Sequence, residues 1–329
     1  MTVLMPVHNA APYVREAVDS ILSGSYRQLE LLAINDGSTD ESEAVLRSIN
    51  DPRLRIVNNP LNLGVVATLN RGLDMADGEY VARMDADDVS QPTRLERQMH
   101  FMDGNPLVGV CGTWIKAFGG RPDAIQRMPL GHADIYTQLF AFNPLAHPTV
   151  MCRLKLFREH LLRYSPSATH AEDLDLWMRA AEHFKLANLP IVALHYRVHP
   201  NQVTRMQSAA QMRSVDMLRL RQLERLIPHA GAEETLLHLT LFDVARHLSV
   251  GDLQLTKSWL DRLLAANDAA GLYDVRRFRA FLAARWLNAA HRCSEAGTRA
   301  WKVWRSSQLA ASGGGGFRLL MKKMLGDRG

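Results

Sequence analysis

The chain of 329 residues is 47% hydrophobic and 22% charged, which suffices for a large core and for one big domain or two modest ones. Its three cysteines, Cys111, Cys152 and Cys293, are odd in number and far apart, which argues against a disulfide framework or zinc site and fits a reduced, cytosolic setting. The net charge of +5 hides a split: residues 1–200 carry 19 Lys+Arg against 23 Asp+Glu, and residues 201–329 carry 20 against 11, so two functional halves are expected, the second facing something anionic.

The opening stretch "MTVLMPVHNAAPYVREAV" has no basic n-region and no long apolar h-region, so no secretory signal is expected. "TVLMPV" (2–7) reads as a strand and "APYVREAVDSILS" (11–23) as a helix with apolar spacing near 3.6. "LELLAI" (29–34) is a second strand, stopped by the turn "NDGS". Ser38 with Glu41 three residues on has the form of a capping box opening the helix "DESEAVLRSIN" (40–50). "RLRIVN" (53–58), the helix "GVVATLNRGLDMA" (64–76) and "EYVARM" (79–84) continue the alternation, which means a mostly parallel α/β sheet.

"VGVCGTWIKAF" (108–118) then reads as a strand and "HADIYTQLFAF" (132–142) as a helix. "HAEDLDLWMRAAEHF" (170–184) is an amphipathic helix in which Leu174 and Trp177 fit the core, and "IVALHYRVH" (191–199) is a late strand. From about 205 the pattern is helical only, in "SVDMLRLRQLERLI", "LQLTKSWLDRLLAAN" and "VRRFRAFLAARWLNAAHRC". This divides the chain into a domain over 1–204, a helical region over 205–312, and a tail over 313–329. The tail joins the linker Gly313–Gly316 to the basic amphipathic "FRLLMKKMLGDRG". No run of about 18 apolar residues suggests a membrane-spanning helix.

In open α/β sheets ligands bind outside the carboxyl ends of the strands. The polar positions gather there: His8 and Asn9 after the first strand, Asp36 after the second, Asn58, Asn62 and Gly64 after the third, and Asp85, Asp87 and Asp88 after the fourth. Three carboxylates within four residues repel one another, and a divalent cation relieves that. Mg²⁺ or Mn²⁺ held by one or two carboxylates, with diphosphate oxygens completing its shell, suits the pattern Asp-x-Asp. Capping by Asp88 or Ser90 of the helix around "PTRLERQM" accounts for one acid, not three. A calcium loop through Asp85, Asp87 and Glu96 fails, because Val89 and Ser90 stand where a ligand and the sharp-turn glycine belong. No glycine-rich Walker loop occurs.

Five segments occur in this order: "MPVHNAAPYVREAVDSIL", "ELLAINDGSTDES", "NLGVVATLNRGLDMADGEYVARMDADD", "HAEDLDLWMR" and "YRVHPNQVT". In order and spacing they resemble the family 2 glycosyltransferases of the GT-A fold, over roughly residues 2–204. The resemblance implies inverting transfer of a sugar from a nucleoside-diphosphate donor, with UDP favoured over dTDP, to a glycan or lipid-linked acceptor in bacterial cell-surface polysaccharide or lipopolysaccharide assembly. It implies that Asp36 hydrogen-bonds the base and that Pro6, His8 and Asn9 line the nucleotide, with Asn62 and Gly64 on the same rim. Asp85 would meet the ribose side and Asp87 the cation, Asp88 being an adjacent acid on the metal side. Asp173 matches the catalytic base and has Glu172 beside it. His199 lies where relatives place a polar loop over the diphosphate; it would complete the metal shell or pair with phosphate. His147 is a candidate for the acceptor side. Arg83 and Arg94 flank the acids and could offset their charge, although surface ion pairing is the commoner fate.

From Arg276 to the end there are 12 Lys+Arg against 2 Asp+Glu. No recognition helix or zinc pattern points to nucleic acid, and the acidic rim would repel phosphate. Docking on an anionic membrane surface from the cytoplasmic side is the expectation. A sugar-nucleotide nucleotidyltransferase would have a glycine-rich first loop where "PVHNAAPYV" stands, and a non-catalytic scaffold would not need the acids at 36, 85, 87 and 173.

Overall fold

The computed structural model describes residues 1–120, 124–199, 208–243, 245–293 and 298–310. The chain parts into two compact units. The first is Met1–Ile135 with Phe142–Ser214, and the second is Tyr136–Ala141 with the chain from Val215 onward.

The first unit is built on one mixed sheet. β1 (Thr2–Val7), β2 (Glu30–Asn35), β3 (Leu54–Asn58) and β4 (Tyr80–Arg83) run parallel in the spatial order β3-β2-β1-β4. Parallel neighbours need crossovers; α1 (Val14–Leu22), α2 (Ser42–Arg47) and α3 (Val65–Met75) supply them. Burial on both faces explains why β1 and β2 read as continuous apolar runs rather than as alternation.

Beyond β4 the direction changes. β8 (Met151–Arg153) lies antiparallel between β4 and β6 (Val108–Phe118). β9 (Lys185–Arg197) then pairs with β6 in parallel along its length. β5 (Val89–Ser90) adds antiparallel to β9 through Val89 with His195 and Ser90 with Leu194. This last pairing positions the site, because Asp85 to Asp88 join β4 to β5 and are carried to the C-terminal end of β9. β7 (Ala124–Gln126) pairs with β6, and α4 (Arg94–Asp103), α5 (His132–Gln138), α6 (Leu154–Glu159) and α7 (Glu172–Ala180) follow their strands and loops. Leu174 and Trp177 are buried, as the helical spacing predicts.

Two local readings are corrected. The Ser38–Glu41 capping box does not form: α2 begins at Ser42 with no side-chain cap, and the Ser38 hydroxyl instead accepts the Asn9 N–H at 3.1 Å. Arg83 and Arg94 are not surface residues. Arg94 is fully buried and donates to the Arg83 carbonyl at 2.7 Å and to Gln98 at 3.0 Å, while Arg83 is 7% exposed.

The second unit is helical, with α8 (Ser208–Leu226, from Val215), α9 (Ala232–Phe242), α10 (Val250–Ala270), α11 (Val275–Arg292) and α12 (Thr298–Arg305). Ser249 and Asp252 form a capping box that opens α10, and Gly271 in the left-handed region closes it. Its core centres on Phe140, whose ring lies 5.3 Å from those of His238 and Phe278 and 5.5 Å from that of Tyr273. No helix among the described residues is long and apolar enough to cross a membrane. The tail, 313–329, lies outside the described residues.

Candidate active site

The C-terminal ends of β1, β2 and β3 build one side of the site. Asp36 is buried, and its carboxylate is an acceptor hub. Oδ1 takes the Asn59 amide at 2.7 Å and the Leu63 N–H at 2.9 Å, and Oδ2 takes the Gly64 N–H at 2.9 Å. The 60–64 loop therefore folds onto the turn after β2. Only glycine permits this crossing: Gly37 has φ +62°, and a Cβ there would stand 2.5 Å from the backbone of Leu61 and Asn62. His8 donates through Nδ1 to the Asp36 carbonyl at 2.9 Å, and its Nε2 accepts the Asn62 amide at 3.1 Å. Asn9, at φ 49°, accepts the Thr39 N–H at 2.8 Å. Pro6 is half-buried in β1 opposite Ile34. Pro6, His8, Asn9, Asp36, Asn62 and Gly64 thus share one rim.

Asp85, Asp87 and Asp88 each offer an oxygen within 4.8 Å of the others. Asp85 and Asp87 each meet a basic side chain, and Asp88 meets a backbone amide. Asp85 forms an ion pair with Arg83, Asp87 Oδ2 accepts from His199 Nε2 at 2.9 Å, and Asp88 Oδ1 accepts the Arg197 N–H at 2.8 Å. Asp88 is 1% exposed; burial, then the charges of Asp85 and Asp87, push its carboxyl well above the usual range. Burial likewise raises Asp85, against the pull of Arg83. Burial works against the charge of Arg83, but Asp85 beside it more than offsets this and keeps the guanidinium protonated.

A divalent cation fits this donor set. Asp88 Oδ2 is buried without a hydrogen-bond partner, and so is His199 Nδ1. The three hard carboxylate oxygens suit Mg²⁺ or Mn²⁺, and added positive charge would offset the mutual repulsion that adds to burial in raising Asp85 and Asp88.

The second acidic group opens α7. Asp173 Oδ2 accepts the Asn143 amide at 2.6 Å, and Oδ1 accepts the Leu174 N–H at 2.8 Å. These donors favour the carboxylate but do not overcome burial, so the Asp173 carboxyl is raised. Glu172 is pushed up to about 7 by burial and then by the charge of Asp173, and its Oε2 is buried without a hydrogen-bond partner. His147 lies close by, with Nδ1 4.0 Å from Asp173 Oδ2 and Nε2 2.8 Å from the Tyr164 hydroxyl. Burial, then the charge of Arg83, holds this ring well below the usual histidine range, so it is neutral.

Sequence reasoning missed three supporting residues. Asn59 ties Asp36 to Thr68, Asn143 holds Asp173, and Arg197 hydrogen-bonds both Asp87 and Asp88. Arg83, expected to flank the acids and offset their charge, is buried against Asp85. Arg197 had one legible signal, since it stands two residues before His199 and so on the same face of an extended segment. Arg83 opposes the rise at Asp85, Asp88, Glu172 and Asp173, so its charge reaches both acidic groups.

The family model described as glycosyl transferase family 2 matches residues 2–163. An uncharacterised glycosyltransferase of Haemophilus influenzae is 32% identical over 216 residues, which cover 62% of this chain and 67% of that protein. The O-antigen biosynthesis glycosyltransferase WbnJ of Escherichia coli is 31% identical over 205 residues, covering 60% of this chain and 80% of the relative. Among solved structures, S. aureus TarS 1–349 in complex with UDP-GlcNAc superposes with a TM-score of 0.59 at 17% identity, over 88% of each chain. At that identity the likeness is one of fold, and the fold is the GT-A type. By its matched segments and its relatives, the chain belongs to glycosyl transferase family 2.

Proposed function

We propose that this protein is a metal-dependent, inverting glycosyltransferase that moves a sugar from a UDP-sugar to a hydroxyl of a glycan or lipid-linked acceptor in cell-surface polysaccharide or lipopolysaccharide assembly. One observation carries the reading. Two acidic groups with different surroundings stand on one sheet edge: Asp85, Asp87 and Asp88 gathered within 4.8 Å, and Glu172 with Asp173 buried at the start of α7. The first suits a leaving diphosphate and the second an attacking hydroxyl. The UDP-GlcNAc bound to TarS supports uridine as the base, and the O-antigen role of WbnJ supports a surface glycan as the product.

In this reading Asp36, with Pro6, His8, Asn9, Asn62 and Gly64, receives the base and ribose, and Asp85 completes the ribose side. Asp87, Asp88 and His199 would hold Mn²⁺ or Mg²⁺, which when bound supplies Lewis-acid stabilisation of the departing diphosphate. Asp173 takes the proton of the acceptor hydroxyl as it attacks the anomeric carbon from the face opposite the nucleotide. Asn143 and the Leu174 N–H aim its carboxylate, which contributes about 10²–10⁴-fold as a general base. Glu172 sets the local charge, and neutral His147 closes the inner wall beside Asp173. Catalysis is assigned to residues 1–204. The helical region 205–312 and the tail 313–329 would attach the enzyme to the anionic inner face of the membrane from the cytoplasm. Residues 275–310 support this with eight Lys+Arg against one Asp+Glu, Glu295.

The test is release of nucleoside diphosphate from UDP-, dTDP- and GDP-sugars with and without Mn²⁺, on the wild type and Asp173→Asn. Metal-dependent release of UDP that falls about 100-fold or more in the variant supports the reading. Release that ignores both metal and Asp173 refutes it.

A further inference from the structure

Three observations converge on the last residue of β9. The Arg197 N–H donates to Asp88 Oδ1 at 2.8 Å, and its Nε donates to the Asp87 carbonyl at 2.7 Å. Its Nη2 forms an ion pair with Glu16 on α1. The guanidinium carbon lies 4.9 Å from the ring centre of Tyr13 and 4.6 Å from that of Phe118. One side chain therefore ties α1, β6 and β9 to the acidic turn.

The turn needs such a tie. Its backbone anchor on this side is β5, two residues long, and the pairing of β5 with β9 stops at Val89 with His195. Asp87 and Asp88 lie beyond it, outside the strand pairing. Arg197 extends the pairing by two residues, with a carboxylate standing in for a backbone carbonyl. It also fixes the segment that carries His199, whose ring lies 5.0 Å from Tyr13 and whose Nε2 reaches Asp87. Arg rather than Lys suits the position, because a planar fork donates in two directions while its faces rest on aromatic rings.

We propose that Arg197 is a positioning residue that holds Asp87, Asp88 and the His199 segment in the arrangement that receives a divalent cation. The proposal rests on the metal-dependent reading above. Groups that orient metal ligands typically change metal affinity by about 10–100-fold when removed.

The experiment titrates Mn²⁺ into the full-length protein with UDP present, following free Mn²⁺ by electron paramagnetic resonance. Metal-free UDP binding and the melting temperature are measured alongside. In Arg197→Met, Mn²⁺ affinity should fall about 10–100-fold while metal-free UDP binding holds. Arg197→Lys should fall between that variant and the wild type, and Glu16→Gln, which removes only the outer anchor, should shift affinity the same way by less. A purely structural role would weaken metal-dependent and metal-free binding together, and that result overturns the proposal, as does unchanged Mn²⁺ affinity in a folded Arg197→Met. Should Arg197→Met fail to fold, Arg197→Lys decides by the same comparison. Failure of the wild type itself to bind Mn²⁺ with UDP overturns the metal reading and this proposal with it, which separates the two.

Discussion

Replacing Glu172 with Gln should make the protein more stable at pH 8 and less active. The side chain is buried at the start of α7, its Oε2 has no hydrogen-bond partner, and burial with the neighbouring Asp173 raises it to about 7. A folded-state value above the ordinary 4.5 means that the folded protein holds this proton more tightly than the unfolded chain does. The stability associated with it is therefore complete below pH 4.5 and is lost as pH rises through 7. At about 1.4 kcal/mol per pH unit, the displacement corresponds to roughly 3 kcal/mol at pH 8. Part of that is shared with Asp173, and the helix N-terminus returns some of it by favouring negative charge, so a gain of about 1–3 kcal/mol is expected. Gln has nearly the same shape and cannot ionise. Thermal denaturation of both proteins at pH 5 and pH 8 should show a gain of a few degrees for the variant at pH 8, mostly gone at pH 5. A gain independent of pH, or a loss at pH 8, would refute the account of Glu172 as a buried acid kept at a cost to stability.

Asn143→Ala removes the amide that favours the charged form of Asp173, so the acid limb of the pH–rate profile should move to higher pH and turnover should fall about 10–100-fold; an unmoved limb contradicts the pairing. Gly37→Ala places a Cβ 2.5 Å from the Leu61 and Asn62 backbone at a left-handed position, so urea titration should show a loss of more than about 1 kcal/mol, with UDP binding weakened because the loop gripped by Asp36 is displaced. In the second unit, burial holds His238 neutral, down to about 3, among Phe140, Phe242 and Trp259. Its stability is therefore complete above pH 6.5 and falls by about 1.4 kcal/mol per pH unit below it, and His238→Leu should flatten that acid-side loss. Equal acid sensitivity of the variant and the wild type in calorimetry would rule this histidine out as its source.

The parallel half of the sheet was legible because β1 and β2 are continuous apolar runs, β3 and β4 are shorter segments with apolar residues, and helices separate them in regular alternation. β5, β7 and β8 were not, since two or three residues carry no periodicity, and their pairing depends on β6 and β9 far along the chain. The acids of the site were readable as a crowd of like charges that needs a reason. Their partners were harder to see. Arg83 and Arg94 look like ordinary surface cations, and only the fold reveals that both are buried beneath Asp85 to Asp88. Asn143 lies 30 residues before Asp173 in a loop with no pattern of its own, and nothing local links them. The Ser38 capping box failed for a related reason, because the Asn9 loop, distant in sequence, claims the hydroxyl first.

The central claim is that Asp87 and its neighbours hold a cation on a nucleoside diphosphate, and calorimetric titration of UDP, dTDP and GDP with and without Mn²⁺ tests it most directly. The wild type should bind one of the three, UDP foremost, far more tightly with Mn²⁺ than without, and Asp87→Ala should lose the metal-dependent part while staying folded. Binding of none of them in either condition, or metal-dependent binding undiminished in Asp87→Ala, would contradict the account.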